Sequence, residues 1–350
     1  MTIRRISFKS TKLQNRIGQL IALLILTAGS MLVLIPIVWM LSTSVKSKDG
    51  ATTFPPQWIP RDAKKAEIDG RDRFIYRIPV EGEMLELALV NKKGPLGNFV
   101  NPDNLDETYQ ELVIQSGERI YTPKLHWENY SRAMTVAPFA TYFKNSIIRL
   151  LVGNVGNLIS CVLVAYGFAR FRAKGFGILF LLLLSTIMLP SQVTLIPTFV
   201  MFTKIGWYDT LLPMLVPTFF ANAWDVFLLR QFFSSIPLEY DDAARIDGCG
   251  RLGILWHIIL PQSVPVLITV LIFHSLWAWN DFFLPLIYLQ SSEKFTVSIG
   301  LQQFMSAYGE GKDITGMMAA STVALLPVIL IFFFAQRLFI QGVVISGIKG

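Results

Sequence analysis

The chain has 350 residues, enough for two soluble domains or one membrane domain; 53% of them are hydrophobic and only 16% are charged, against roughly 25% charged in soluble proteins. That balance favours a membrane protein over a soluble one. A net charge of +7 raises the question of nucleic acid, but the lysines and arginines concentrate at the ends of apolar runs, where they act as topology signals. The two cysteines, Cys161 in an apolar run and Cys249 in a polar loop, have no metal-ligand spacing, and a disulfide between them is not expected.

The first apolar run is uncharged from Ile17 to Val45, between Arg16 and Lys46. It is far longer than the roughly 7–15 apolar residues of a signal peptide, and no Ala-x-Ala site follows, so it reads as an uncleaved anchor. Further runs lie at Leu150–Ala169, Gly175–Thr203, Thr210–Leu229 (interrupted by Asp225), Leu252–Asn280 and Ile314–Gln336. With about 20 apolar residues needed per crossing, they predict six spans. Orientation follows from lysine and arginine in the short connections. The N-terminus carries Arg4, Arg5, Lys9, Lys12 and Arg16; the second and third runs are joined by Arg170, Arg172 and Lys174, and the fourth and fifth by Arg230, Arg245 and Arg251. The other side offers little beyond Lys204, Lys294 and Lys312. Both termini and the segment after the fourth run are therefore expected in the cytoplasm.

Residues 46–137 are too polar to span and too long for a turn. Arg73–Val80, Glu83–Val90 and Thr108–Ile114 carry aromatic and β-branched residues, punctuated by Gly82, Gly94-Pro95, Gly97 and Asn101-Pro102-Asp103. They read as short strands of a small β-rich subdomain; the alternative is a partly ordered loop.

Between the fourth and fifth runs lies Glu239-Tyr-Asp-Asp-Ala-Ala-Arg-Ile-Asp-Gly248, leading to Ile258-Ile-Leu-Pro261. Ser235 can cap a helix and Pro237 is tolerated in its first turn. Glu239, Asp241 and Asp242 suit the positive end of the helix dipole. Ala243 and Ala244 favour helix and close approach, and Gly248 can end it in the left-handed region. A second helix, Arg251–Leu260, should stop before Pro261, with Leu255, Ile258 and Ile259 on one face. Taken alone, acid-Ala-Ala is a solvated helical hairpin with a capping glycine.

Polar residues inside the runs are few. Asp225 would cost about 2.5–3.5 kcal/mol at a helix centre; near the cytoplasmic end of its run it suits either structural pairing or gating. Asn280 and Asp281, at the outer end of the fifth run, suit solute contact or the capping of a broken helix. Trp277 and Trp279 suit interfacial anchoring, and His257 and His274 read as packing. No cluster has nucleophile, base or metal-ligand spacing, and no Gly-x-x-x-x-Gly-Lys-Ser/Thr phosphate loop is present. An enzyme reading has no residues to stand on.

The spacing of acid, two alanines, three residues, glycine, nine residues and Ile-x-Leu-Pro resembles the cytoplasmic coupling loop, the EAA loop, of permease subunits in ATP-binding-cassette importers. Asp242 stands where those subunits usually carry glutamate. Phe54–Pro60, Leu125–Tyr130, Met188–Pro197, Phe227–Phe233, Trp277–Phe282 and the ending Gln341–Gly350 are similar to the carbohydrate-uptake, maltose-type members. The resemblance covers about residues 15–60 and 124–350. It implies an all-α polytopic membrane protein, the type I importer permease fold with six transmembrane helices, and a small β-rich extracytoplasmic insertion between helices 1 and 2. The expected division is a cytoplasmic N-terminus at 1–16, the first helix at 17–45 and the outer loop at 46–137 with its insertion at about 61–123. A five-helix core follows at 138–340, including the coupling loop 232–262, and then a cytoplasmic tail at 341–350. The residues expected to couple to an ATPase are Glu239, Asp242, Ala243, Ala244, Asp247, Gly248, Ile258, Leu260 and Pro261.

The resemblance further implies that this chain binds no cofactor, with ATP and Mg on separate ATPase subunits. Its expected partners are a second, homologous permease, two ATPases, an extracytoplasmic solute-binding protein and membrane lipid, without nucleic acid. Sugar is the expected cargo, with a glycerol phosphate ester as the alternative. An ion-coupled secondary transporter, the alternative of another class, should show inverted repeats and acids near the midplane; the chain has one off-centre acid and no obvious repeat.

Overall fold

The structure, a computed structural model, describes the backbone of residues 11–308 and 313–347. Arg4, Arg5, Lys9 and Lys312 lie outside the described residues, as do 348–350 and the side chains of the expected tail from 341 onward. The chain divides into two compact units, Met1–Ala133 with Tyr308–Thr322, and Met134–Ala307 with Val323–Gly350.

In the first unit, α1 (Thr11–Ser44) is one helix of 34 residues. Its apolar side chains are exposed around the circumference, as expected of a helix solvated by lipid. A short helix α2 (Lys48–Thr52) follows, capped by Ser47 Oγ, which accepts from Gly50 N–H. Next come β1 (Arg61–Ala63), β2 (Lys65–Ile68), β3 (Arg71–Val80), β4 (Glu83–Lys93), β5 (Leu96–Asn101), β6 (Asn104–Val113), β7 (Glu118–Arg119) and β8 (Tyr121–Pro123). The main sheet runs β2-β3-β4-β5-β6, with β7 on β3, and every pairing is antiparallel. Two-residue loops, Asp69-Gly70 and Glu81-Gly82, join β2 to β3 and β3 to β4 with positive φ at both positions, the backbone that two-residue hairpins favour. Alternation sends Tyr76, Ile78, Leu87 and Phe99 into one buried cluster and Ile68, Ile75 and Ala88 into another. β2 and β5 are strands that sequence pattern alone does not mark. β1 and β8 pair separately, with Arg61 opposite Pro123, so the chain enters and leaves the sheet through one two-stranded stem.

The stem is anchored beside the end of α1. Asn129 of α3 (Glu128–Val136) donates to the carbonyls of Ser44 and Lys46 at 2.9 and 2.8 Å, and the hydroxyls of Ser44 and Tyr130 meet at 2.8 Å. Arg132 grips Asp313 through two nitrogens at 3.1 and 2.9 Å.

The second unit begins with α4 (Phe139–Arg170), followed by α5 (Phe176–Ser185), α6 (Ser191–Lys204), α7 (Leu212–Leu215) and α8 (Ala223–Ser235). Then come α9 (Leu238–Ile246), α10 (Arg251–Ile254), a π-helical turn at Leu255–Ile259, and α11 (Leu260–Gln262). The last helices are α12 (Val264–Asn280), α13 (Phe283–Tyr288), α14 (Val297–Tyr308) and α15 (Ile314–Gly347), the last shared with the first unit. Gly156 lets α4 approach the segment after α7: a Cβ there would sit 2.7 Å from Phe219 and Thr218 side chains. The core joins Cys161, Val162, Ala165 and Tyr166 of α4 to Val226, Leu229 and Phe233 of α8.

Among the described residues four helical segments are long and apolar enough to cross a membrane: Arg16–Ser44, Phe139–Arg170, Leu212–Ser235, which is interrupted between α7 and α8, and Ile314–Phe333. Two bent pairs raise the number to six if each is one span. They are Phe176–Met188 with Gln192–Lys204, bent by 96°, and Arg251–Gln262 with Val264–Asn280, bent by 81°. The run Leu252–Asn280 is therefore bent, as a helix from Arg251 that stops near Pro261 requires, but the break falls at Ser263, not before Pro261. The π turn is the physical reason that Pro261 does not stop the helix. It shifts the hydrogen-bond register just ahead of the proline, and Gln262 Nε2 and Ser263 Oγ donate to the Ile258 and Ile259 carbonyls at 3.0 and 2.6 Å.

Candidate functional site

The segment between α8 and α12 is a compact hairpin built on the core of the second unit. α9 starts after Pro237, which has extended backbone and offers no side-chain cap; Ser235 instead ends α8, its Oγ donating to the Phe232 carbonyl. Gly248, at φ +83°, ends α9. Its N–H donates to the Arg245 carbonyl at 3.0 Å, and Cys249 N–H donates to the Ala244 carbonyl at 2.8 Å. This is a Schellman closure, which consumes carbonyls that would otherwise be orphaned. No atom lies within 4 Å of a Cβ built on Gly248, so the backbone angle, and not space, requires glycine.

The hairpin has an inner and an outer face. Ala244 is buried in the core with Ile254, Leu255 and Ile259, and Ile258 and Leu260 pack partly against it. Glu239, Asp242, Ala243, Asp247, Gly248 and Pro261 are exposed. The structure thus brings the nine expected residues onto one hairpin but divides them: Ala244, Ile258 and Leu260 hold it to the core, and the other six face outward. Asp242 pairs with Arg245 at 2.9 Å within its own helix, an exposed pairing worth a few tenths of a kcal/mol. The outer face also exposes Ile246, Leu252 and Trp256, which acid-Ala-Ala spacing does not mark.

The acid that points inward is Asp241. Its side chain is 2% exposed and that of Arg170, at the end of α4, is 3% exposed, with Nε and Oδ2 3.4 Å apart. Arg170 Nη2 also donates to the Ile236 carbonyl at 3.0 Å. Among the described residues neither carboxylate oxygen of Asp241 receives a hydrogen bond, so the pair is held by charge. Tyr166 OH donates to the Arg251 carbonyl at 2.9 Å, and the Arg251 guanidinium lies 4.8 Å from the Phe171 ring centre. Three residues at one helix end, Tyr166, Arg170 and Phe171, thus grip both arms of the hairpin. A run of Ala169-Arg-Phe-Arg172 gives no sign of this, because its partner is 71 positions away in the chain.

The other candidates separate. Asp225 lies in the first turn of α8, deeper within Leu212–Ser235 than its distance from Arg230 suggests, and its Oδ2 accepts from Asn157 Nδ2 at 2.9 Å. Asp281 forms a buried pair with Arg149 and its Oδ1 accepts from Phe283 and Leu284 N–H at 3.1 and 3.2 Å. It caps the start of α13, after the end of α12. Asn280 is exposed and bonds back to the Leu276 carbonyl at 2.8 Å. Trp279 is buried with its indole N–H on the Ala324 carbonyl at 3.1 Å, so it packs and does not anchor; Trp277 is exposed. Among the described residues no histidine, cysteine, aspartate and glutamate cluster has metal-binding geometry.

This chain matches the family described as "Binding-protein-dependent transport system inner membrane component" over residues 158–345. The arabinooligosaccharide transport permease AraQ of Halalkalibacterium halodurans is 36% identical over 242 residues, 69% of this chain and 86% of that one. The sn-glycerol-3-phosphate transport permease UgpE of Yersinia enterocolitica is 30% identical over 226 residues, 63% of this chain and 80% of that one. In fold, the chain is similar to a chain of a bacterial ABC transporter involved in import of the acidic polysaccharide alginate. The TM-score is 0.64 at 20% identity, covering 93% of this chain and 97% of the other. The protein belongs to the family of inner-membrane components of binding-protein-dependent transport systems: it is a permease subunit of an ATP-binding-cassette transporter, a transport component and not an enzyme.

Proposed function

We propose that the chain is one of two membrane subunits of an ATP-driven sugar importer, and that the coupling loop 232–262 receives the motion of separate ATPase subunits. The observation that carries the coupling reading is the two-faced hairpin: Ala244 and Asp241 bind it to the core, while Asp242, Ala243, Gly248 and the apolar residues Ile246, Leu252 and Trp256 face outward. A lever needs both a rigid hold on the spans and an exposed face for the partner.

In this reading each bent pair is one span, which gives six, and both termini lie in the cytoplasm. The spans from 138 to 340 form the permease core, with the cytoplasmic tail from 341. Residues 61–123 are an extracytoplasmic insertion, a reading supported by the β1–β8 stem and by Lys124 N–H donating to the Pro60 carbonyl at 3.3 Å. ATP and Mg belong to two ATPase subunits, and this chain binds no cofactor. A homologous permease, a solute-binding protein and lipid complete the assembly. ATP binding closes the ATPases and draws the hairpin inward. Through the Arg170–Asp241 pair the end of α4 follows, and the pathway opens toward the binding protein.

Sugar as cargo is supported by relatives named for arabinooligosaccharide transport. Transport of a glycerol phosphate ester is the second reading, supported by the UgpE relatives. Co-expression with the ATPases tests coupling. Asp242→Lys, an exposed substitution, is expected to leave the chain in the membrane and weaken recovery of the ATPases with it. Equal recovery would leave Asp242 with no role beyond its Arg245 pair. Uptake of labelled oligosaccharide against labelled glycerol 3-phosphate by the reconstituted complex decides the cargo.

A further inference from the structure

The span Leu212–Ser235 is not one helix. After α7 the chain makes a 3-10 turn at Val216–Phe219, then runs extended through Phe220 (φ −109°, ψ 120°) to Asn222 (φ −78°, ψ 129°) before α8 begins. Irregular backbone at membrane depth is tolerated only where it is buried in protein or lines a wet cavity. Here it lines a cavity of about 630 Å³, within the roughly 300–1,000 Å³ of small-ligand sites.

The walls of this cavity are of two kinds. Phe220, Trp224, Phe273 and Trp277 supply aromatic surface, and Phe220, Trp224 and Trp277 are more than half exposed. Asn157, Asp225 and His274 supply polar groups whose orientations are fixed from behind. Asn157 is buried; its Oδ1 accepts from Cys161 Sγ at 3.3 Å and its Nδ2 donates to Asp225 Oδ2 at 2.9 Å. No described residue donates to Asp225 Oδ1. The Asn222 side chain accepts from the N–H groups of Trp224 and Asp225 at 2.9 and 3.3 Å, which fixes the first turn of α8. Asn154 Nδ2 donates to Ser275 Oγ at 2.8 Å, so its Oδ1 accepts from His274 Nδ1–H at 2.8 Å, and His274 Nε2 becomes an acceptor.

A sugar ring has apolar C–H faces and a rim of hydroxyls. Flat aromatic walls with a few fixed acceptors complement it, as they complement other ligands that are apolar on one side and polar on another. The lining contains no lysine and no arginine; the nearby Arg149 is paired with Asp281. A uronate or a phosphate ester would lose water with no cation to receive it. We infer that this subunit holds its own subsite for a neutral saccharide, at the break between α7 and α8, with Trp224 and Trp277 as stacking surfaces and Asp225 and His274 as hydroxyl acceptors.

The inference rests on the sugar-import reading, and its test keeps the two apart. The full complex is reconstituted in proteoliposomes with its binding protein, and uptake is measured for arabinotriose, maltotriose, xylotriose, trimannuronate and glycerol 3-phosphate. Wild type is expected to carry a neutral trisaccharide. Trp224→Ala and Trp277→Ala are expected to lower that uptake about tenfold, while ATP hydrolysis stimulated by the loaded binding protein persists, so that ATP spent per sugar rises. Phe332→Ala, exposed on α15 away from the lining, is expected to transport as wild type does. Undiminished uptake by the tryptophan variants overturns the subsite and leaves the sugar reading standing. So does loss of the second permease on purification with uptake per assembled complex unchanged, which would make the cavity a subunit contact. Uptake of trimannuronate or glycerol 3-phosphate alone overturns the neutral class. Failure of wild type to carry any saccharide overturns the sugar reading itself.

Discussion

Asp241 and Asp242 are adjacent acids with opposite situations. Asp242 is exposed, and its pair with Arg245 contributes little. Asp241 and Arg170 are both buried, so neither charge has water to replace its partner. Removing one of them should cost roughly 3–5 kcal/mol, well beyond an exposed substitution. Asp241→Asn and Arg170→Gln are therefore each expected to lower the melting temperature of the purified complex and its transport together. The double variant Arg170→Met, Asp241→Leu is expected to regain most of the stability, because an apolar pair leaves no charge buried. Single variants that melt as wild type does would remove the pair from the hold on α9. At the same scale His126 lies between Asp62 Oδ2 at 2.8 Å and Glu128 Oε1 at 2.5 Å. Burial opposes its charge, but the hydrogen bonds its ring donates to Glu128 and Asp62 outweigh that and raise its pKa, while the bond accepted from His126 lowers that of Glu128. The raised histidine stabilises fully below its unfolded value of about 6.5, and that contribution is lost as pH rises through the folded value. The lowered glutamate stabilises above its unfolded value of about 4.3 and loses this as pH falls through its folded one. The contribution of the cluster should be largest between these limits. Thermal melts of His126→Gln and wild type are expected to differ most near pH 5.5 and to converge above pH 8; a constant difference would contradict the linkage.

At the scale of elements, the hairpin shows which features a sequence reveals. The end of α9 was legible at Gly248 because a Schellman closure is local, involving residues 244–249 and one left-handed backbone. The turn at Gly82 between β3 and β4 is local in the same way. The continuation through Pro261 was not legible, since it depends on a π turn and on side-chain donors one turn away. The inward direction of Asp241 depends on Arg170, far back in the chain, and the depth of Asp225 depends on an irregular stretch that apolar composition conceals. β1 and β8, three residues each, have no periodicity to read. The same locality makes a sharp prediction. Gly248→Val meets no steric obstacle but puts a β-branched residue at φ +83°, a strain of about 1–2 kcal/mol. It should misplace the second arm and cut transport and solute-stimulated ATP hydrolysis, while expression and insertion survive. Gly248→Asn, which tolerates the left-handed region, should retain most of the uptake. Equal uptake by the valine variant would show that the end of α9 need not be held.

On the scale of the whole molecule, the chain keeps its sheet separate in sequence from its apolar helices. Residues 61–123 contribute no helix long enough to cross a membrane, and they bury two small apolar clusters of their own. The closing hydrogen bond from Lys124 to Pro60 means that the two ends of the segment already meet. Joining Pro60 directly to Lys124 should therefore leave the path from α1 to α3 unbroken, and with it the Asn129 bonds to Ser44 and Lys46. The cost is confined to neighbours of the stem: Asp62 is removed, so His126 loses one of its two acid partners. The excised chain is expected to insert all its spans, which protease protection and cysteine labelling of the loops can follow. If the sheet is a docking surface for the binding protein or for the second permease, affinity for the former or melting of the permease pair should fall, with transport. The charges of the sheet decide which experiment is more informative. Lys64 and Arg77 both meet Glu86, whose carboxylate is held below its ordinary range by those two bonds, so the surface has little unpaired charge there to steer a partner. Binding to it should accordingly depend weakly on salt. An excised complex with unchanged uptake, binding-protein affinity and melting would make the sheet a tolerated extension. Affinity of the intact complex that falls steeply with salt would mean that recognition rests on charges elsewhere on the sheet.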